Sequence, residues 1–233
     1  MVAIFKRELK SYFSSPLGYI ILLVYLAMYG WIFSQLYAVG VPQTSLIFSY
    51  FSFITAFLIP VLTMRLFSEE RRQKTDRALF TAPVSITSIV MGKFLAALAM
   101  FGMSQAITIV YQTIFAFNVT VDWVNYFSYL IGTILMAAAL ISVGLFISCL
   151  TDSQIVAAVI SIAVSVLLFS LDGFFSGVEL QWIAKVVEWI SFQGRYNTFI
   201  EGLFDLANTV YFISFSAVFI FLTIRVQESK RWA

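Results

Sequence analysis

Six stretches of this chain, at 17–37, 44–64, 94–117, 126–150, 155–171 and 206–224, are apolar over roughly the length that crosses a bilayer as a helix. A hydrocarbon core of about 30 Å takes about 20 helical residues, with a range of roughly 17–25. Lipid offers no partner to a backbone N–H or C=O, so a crossing segment must satisfy those groups internally, as a helix does. Composition agrees, with 61% hydrophobic residues against 11% charged, where a soluble domain carries about 25% charged. These features exclude a soluble enzyme, a nucleic-acid-binding protein and a disordered chain. They predict one all-α, polytopic membrane domain over 1–233 with six transmembrane helices. No apolar core of signal-peptide type precedes the first span, so no cleavage is expected.

The charges orient the spans. All but Lys185 and Arg195 of the 14 basic residues lie before span 1, between spans 2 and 3, or after span 6. With both termini inside, those segments are all cytoplasmic, as the positive-inside rule requires. The outer segments then hold Asp122, Asp172, Glu179, Glu188, Glu201 and Asp205. The expected location is the plasma or inner cell membrane, multi-pass, with both termini cytoplasmic.

Three pieces lie outside the spans. Residues 2–15 read as an amphipathic helix, with Val2, Phe5, Leu9, Tyr12 and Phe13 on one face and Lys6, Arg7, Lys10, Ser11 and Ser14 on the other. Such a helix lies in the interface with its basic face toward headgroups. It is either a plain surface anchor or an elbow that also touches a cytoplasmic partner. Between spans 2 and 3, no proline or glycine interrupts residues 65–80, which predicts a short helix ended by Pro83. Glu69 and Glu70 precede Gln73 and Lys74 at pairing distance along that helix. It is the one sizeable cytoplasmic surface able to grip a partner. Residues 173–205 form the long outer segment. Ile183, Val186, Val187 and Ile190, with Trp182 and Trp189 at the edge, make one amphipathic stretch, and Tyr196, Phe199, Ile200, Leu203 and Phe204 a second. Each is about 16 Å long, too short to cross. They are either a re-entrant pair or two helices lying flat, with Trp182, Trp189 and Phe199 expected toward lipid or an outer mouth.

Catalytic and coupling chemistry is sparse. There is no histidine, and the single cysteine, Cys149, sits in an apolar run. No Lys, Arg, Asp or Glu falls inside any of the six apolar stretches, which argues against proton coupling and voltage sensing. Gly92-Lys93 lacks the rest of a P-loop, so any ATP, with its Mg, is expected on another chain, with no cofactor bound here. Uncharged polar residues do form stripes. Ser45, Ser49, Ser52 and Thr63 share a face of span 2, Gln105, Thr108 and Gln112 a face of span 3, and Gln154, Ser161, Ser165 and Asp172 a face of span 5. These either hydrogen-bond between helices or line a substrate path. Pro60 is expected to bend span 2, and Ala137, Ala138, Ala139 and Gly144 let span 4 pack closely.

Several words of sequence, in order, resemble the ABC-2 type permeases, the membrane subunits of ATP-binding-cassette exporters, and most of all their gliding-motility-associated branch. They are Phe5-Lys6-Arg7-Glu8-Leu9-Lys10-Ser11-Tyr12-Phe13 with Ser15-Pro16-Leu17-Gly18-Tyr19, then Phe67-Ser68-Glu69-Glu70-Arg71-Arg72, Thr81-Ala82-Pro83-Val84-Ser85, Gly92-Lys93-Phe94, and Gly202-Leu203-Phe204-Asp205 with Val210-Tyr211-Phe212. After the acidic-basic run the family usually reads Gly-Thr-Leu-Glu-Leu-Leu, where this chain has Lys74-Thr75-Asp76-Arg77-Ala78-Leu79. The resemblance implies a permease dimer, a second copy of the chain, served by two cytoplasmic ATPase subunits. It implies a coupling helix at 67–80, with Phe67, Glu69, Glu70, Arg71, Arg72, Lys74 and Thr75 making the ATPase contact, a surface helix at 2–15, and a re-entrant segment at 178–205. The branch is often associated with an additional membrane protein bearing an external domain. The leading expectation is an exporter permease that is not itself an enzyme. The alternative is a mechanical subunit that transmits ATPase strokes to an envelope assembly and moves no solute.

Overall fold

The computed structural model describes residues 1–40, 43–74, 84–117, 121–175 and 190–232. Their helices are α1 (Val2–Ser14), α2 (Pro16–Ala38), α3 (Thr44–Thr63), α4 (Ser68–Arg72), α5 (Ile86–Ala116), α6 (Trp123–Leu150), α7 (Gln154–Phe175), α8 (Phe192–Ile200) and α9 (Leu206–Trp232). Six segments are long and apolar enough to cross a membrane, within α2, α3 continuing to Arg72, α5, α6, α7 and α9. The chain is an all-α, multi-pass membrane protein.

Side-chain caps set several helix starts. Pro16 occupies the first turn of α2, and Ser15 Oγ accepts from Leu17 N at 3.3 Å. Ser85 Oγ accepts from Ser88 N at 3.3 Å to open α5, and Asp122 Oδ1 accepts from Val124 N at 2.9 Å to open α6. Each satisfies one of the orphan donors of a first turn. The early cap on α5 extends that helix well upstream of the apolar stretch at 94–117, so Lys93 lies inside it. Lys93 thus stands in the same helix as the third apolar stretch, one residue before that stretch begins.

α6 is the hub, in contact with α3, α5, α7, α8 and α9. Small residues permit this. A Cβ on Gly144 would lie 2.1 Å from Thr63 Oγ1, and one on Gly132 would lie 2.5 Å from Phe199 Cβ. The outward faces are apolar, including Tyr19, Ile20 and Leu23 on α2 and Val210 and Ile213 on α9. An apolar exterior of this extent suits lipid as the surrounding solvent.

One expectation about the flanking pieces changes, that for Phe199. α1 turns Ile4, Glu8 and Tyr12 inward and packs on α5, while Val2 is 63% exposed. Its inner face is thus offset from the wheel of Val2, Phe5, Leu9, Tyr12 and Phe13. α8 wedges among α3, α6 and α7. Its Phe192, Tyr196 and Phe199 are buried in protein, with the Tyr196 hydroxyl 2.8 Å from Thr133 Oγ1 and donating to Phe48 O at 3.3 Å. Phe199 therefore faces the bundle and not lipid. The stretch with Trp182 and Trp189 lies outside the described residues.

Candidate functional site

The end of the bundle that carries α1 gathers most of the chain's described charge around α4. α3 ends at Thr63, a turn covers 64–67, and α4 follows for five residues. The helix expected over 65–80 therefore closes at Arg72. Gln73 caps it, and Lys74 takes φ 55°, its N–H donating to Arg71 O at 3.0 Å. That left-handed residue just past the helix is a common stop, usually glycine because a Cβ disfavours the conformation. Thr75 and the rest of 75–83 lie outside the described residues.

Two adjacent residues of α4 reach opposite ways. Glu70 pairs with Arg7 of α1 at 2.8 Å and with Lys93 of α5 at 3.0 Å. Arg71 Nε pairs with Asp152, beyond α6, at 2.8 Å, and its Nη1 donates to Cys149 O at 3.0 Å. Consecutive helical residues point about 100° apart, so one short helix grips both flanks of the bundle. Cys149 O is among the last carbonyls of α6, which lack intrahelical donors and carry the negative end of the helix dipole. Lys230 of α9 donates to the same oxygen at 2.6 Å, and Gln227 Nε2 lies 3.2 Å from Cys149 Sγ.

The turn before α4 is tied down as well. Tyr12 OH donates to Leu62 O at 3.0 Å, Phe67 N donates to Ser148 Oγ at 3.3 Å, and Ser68 Oγ donates to Met64 O. Arg65 stacks over the Tyr12 ring at 4.6 Å, and the Lys93 ammonium sits 5.0 Å above the buried Phe67 ring. On α1, burial raises the Glu8 pKa, but the Lys93 and Arg7 charges outweigh it and hold the carboxyl below its ordinary range.

The expected contact residues therefore divide. Phe67 is buried, and Glu70 and Arg71 spend their charge within the chain. Glu69 is half-buried and accepts from Gln73 Nε2 at 3.3 Å. Arg72, Gln73 and Lys74 are exposed. Lys93, Glu8, Arg7 and Tyr12 were not expected at this site. One signal for them was available: Glu8 is the lone acid of α1 and lies one turn from both Ile4 and Tyr12.

The polar stripes bond partly between helices, through Gln105, Thr108 and Gln112, and partly within one, as Ser52 does on α3. Tyr29 OH donates to Gln105 Oε1 at 2.6 Å, Thr108 and Tyr126 share a 2.8 Å bond, Thr44 donates to Gln112, and Ser52 donates to Ser49 O at 2.7 Å. Ser161 and Ser165 are buried on α7, and Ser161 Oγ, Gln105 Nε2 and Tyr25 OH have no hydrogen-bond partner among the described residues.

The sequence matches the model of the ABC-2 type transporter family over residues 1–194. This chain belongs to the ABC-2 type transporter family. No curated protein matches it. As an ABC-2 membrane domain it is the permease component of an ABC system and not its catalytic part. In this permease the charged cluster lies where the first candidate span hairpin ends, on the side shared by α1 and the last turn of α9.

Proposed function

We propose that the chain is the permease subunit of an ABC exporter, working as a dimer of two copies and driven by ATP, with Mg, on separate cytoplasmic ATPase subunits. The end bearing α1, α4 and the tail of α9 faces the cytoplasm, because it concentrates the lysines and arginines. The stroke enters through residues 67–80. One observation carries this reading: the end of α4 and the turn after it present Arg72, Gln73 and Lys74 outward, while Glu70 and Arg71 bind α4 to both flanks of the bundle. A push on such a piece is delivered to the spans and not lost in a slack loop. Export as the direction follows the resemblance, and no substrate class is assigned.

Co-purification of the permease with an ABC ATPase, followed by ATP-dependent solute flux in proteoliposomes, tests the proposal. Hydrolysis with no solute flux would replace it with the mechanical reading. Solute movement by the purified chain alone, down an imposed proton gradient, would overturn it.

A further inference from the structure

Lys93 is the one charged side chain among the described residues that is fully buried, at 1% exposure. An ammonium has three N–H donors, and three oxygens from three other segments surround this one. They are Glu8 Oε1 of α1 at 3.3 Å, Glu70 Oε1 of α4 at 3.0 Å and Leu66 O of the preceding turn at 2.5 Å. The neighbour Gly92 brings α1 close enough for this. A Cβ there would lie 2.8 Å from Ile4 Cγ2.

A buried ion pair is a poor device for stability alone, since an apolar side chain of similar size often serves as well or better. Directed bonds differ from apolar contact in another respect. Apolar surfaces slide past one another at little cost, whereas three saturated N–H bonds hold a fixed geometry. We propose that Lys93 is a positioning residue that locks α1 and α4 into a single body on α5, so that displacement of α4 carries α1 with it. One residue, Ser15, separates α1 from α2, and a Cβ on Gly18 would lie 2.2 Å from Tyr12 O. Movement of α1 therefore reaches the first span directly. The role in transport rests on the proposed function, but the lock itself does not.

Two measurements separate these. Nitroxides at Lys6→Cys and Gln73→Cys, both exposed positions, in a Cys149→Ser background report the α1–α4 distance by pulsed EPR of the full chain in nanodiscs. The parent and Lys93→Arg give one narrow distribution, and Lys93→Met broadens it about twofold or adds a second distance. A Lys93→Met distribution as narrow as the parent's overturns the lock. Glu8→Gln weakens the α1 side of the lock while Lys93 keeps Glu70 and Leu66 O, and it decides the question in the same way if Lys93→Met does not accumulate. With the ATPase bound, Lys93→Met lowers solute moved per ATP about 10-fold at unchanged ATPase affinity, and Lys93→Arg restores it. Lost affinity with an unchanged ratio would overturn the positioning role. Solute flux by the parent chain without any ATPase would overturn the proposed function, while the distances still decide the lock.

Discussion

Arg71 and Lys230 donate to the same backbone oxygen, that of Cys149, at 3.0 and 2.6 Å. One cation comes from the short helix after α3 and the other from the last turn of α9. Together they supply donors to a helix end that has none of its own. The last turn of α9 is thereby joined to α4 through one oxygen, as α1 is joined to it through Glu70.

The exposed and inward residues of α4 should separate experimentally. Arg72→Glu with Lys74→Glu should weaken ATPase association by about 1–3 kcal/mol, roughly 5- to 150-fold, with thermal stability unchanged. Glu70→Lys places a third cation beside Lys93 and Arg7, so it should lower stability by about 3 kcal/mol or more. Affinity titrations and unfolding midpoints on the same preparations check both. Equal loss of stability from the two changes would contradict the division.

Lys74 takes φ 55°, a left-handed conformation that favours glycine. A side chain there costs about 1–2 kcal/mol, partly offset by the greater freedom of an unfolded glycine. Lys74→Gly should therefore raise stability slightly, by about 0.5–1 kcal/mol, whereas Lys74→Val should lower it. Unfolding midpoints of the two variants should move in opposite directions.

The α3–α6 contact depends on the missing side chain at Gly144. A methyl there would meet Thr63 Oγ1 at 2.1 Å, and Thr63 is fully buried and already bonded to Ile59 O. Gly144→Ala should cost about 1–3 kcal/mol. Adding Thr63→Ala removes the closest atom and should recover part of that loss, a non-additivity that a double-mutant cycle reads directly.

Glu8 sets an acid limit on the α1 dock. Its folded pKa lies below the ordinary value of 4.5. A depressed carboxylate contributes stability that is complete above the unfolded value and lost as pH falls through the folded one. The unfolding midpoint in nanodiscs of uncharged lipid should be insensitive to Glu8 from about pH 6 upward and fall below about pH 4.5. Glu8→Gln should flatten that acid limb and lower the neutral plateau. A Gln variant with the parent's full acid slope would contradict the assignment.

Sidedness is checked by impermeant thiol labelling of Ser153→Cys and Leu203→Cys in a Cys149→Ser background. Both positions are exposed, Ser153 beyond the end of α6 and Leu203 beyond the end of α8. Ser153→Cys should label from the cytoplasmic face and Leu203→Cys from the outer face. Labelling of both from one side would refute the six-span arrangement.

The number of spans was legible in the sequence because transfer into lipid is a sum over one contiguous segment, and each segment carries its own sum. Cap residues such as Ser85 and Asp122 are local in the same sense. The positions of Glu70 and Arg71 were not legible. As residues in a charge run they read as a solvated face, yet their partners lie on α1, α5 and the end of α6. Lys93 shows the reason most clearly. Counted along the chain it reads as one more cation before the third apolar stretch. In the folded protein it is fully buried, and the cost of burying it is offset by Glu8 and Glu70, which arrive from remote segments. Phe199 erred in the opposite direction. An apolar ring on a short outer helix suits lipid, and only the groove left by Gly132 on α6 turned it into the bundle. Hydropathy is a property of a segment, but the solvent a side chain meets is set by whichever segments pack around it, and that was decided by the tertiary structure alone.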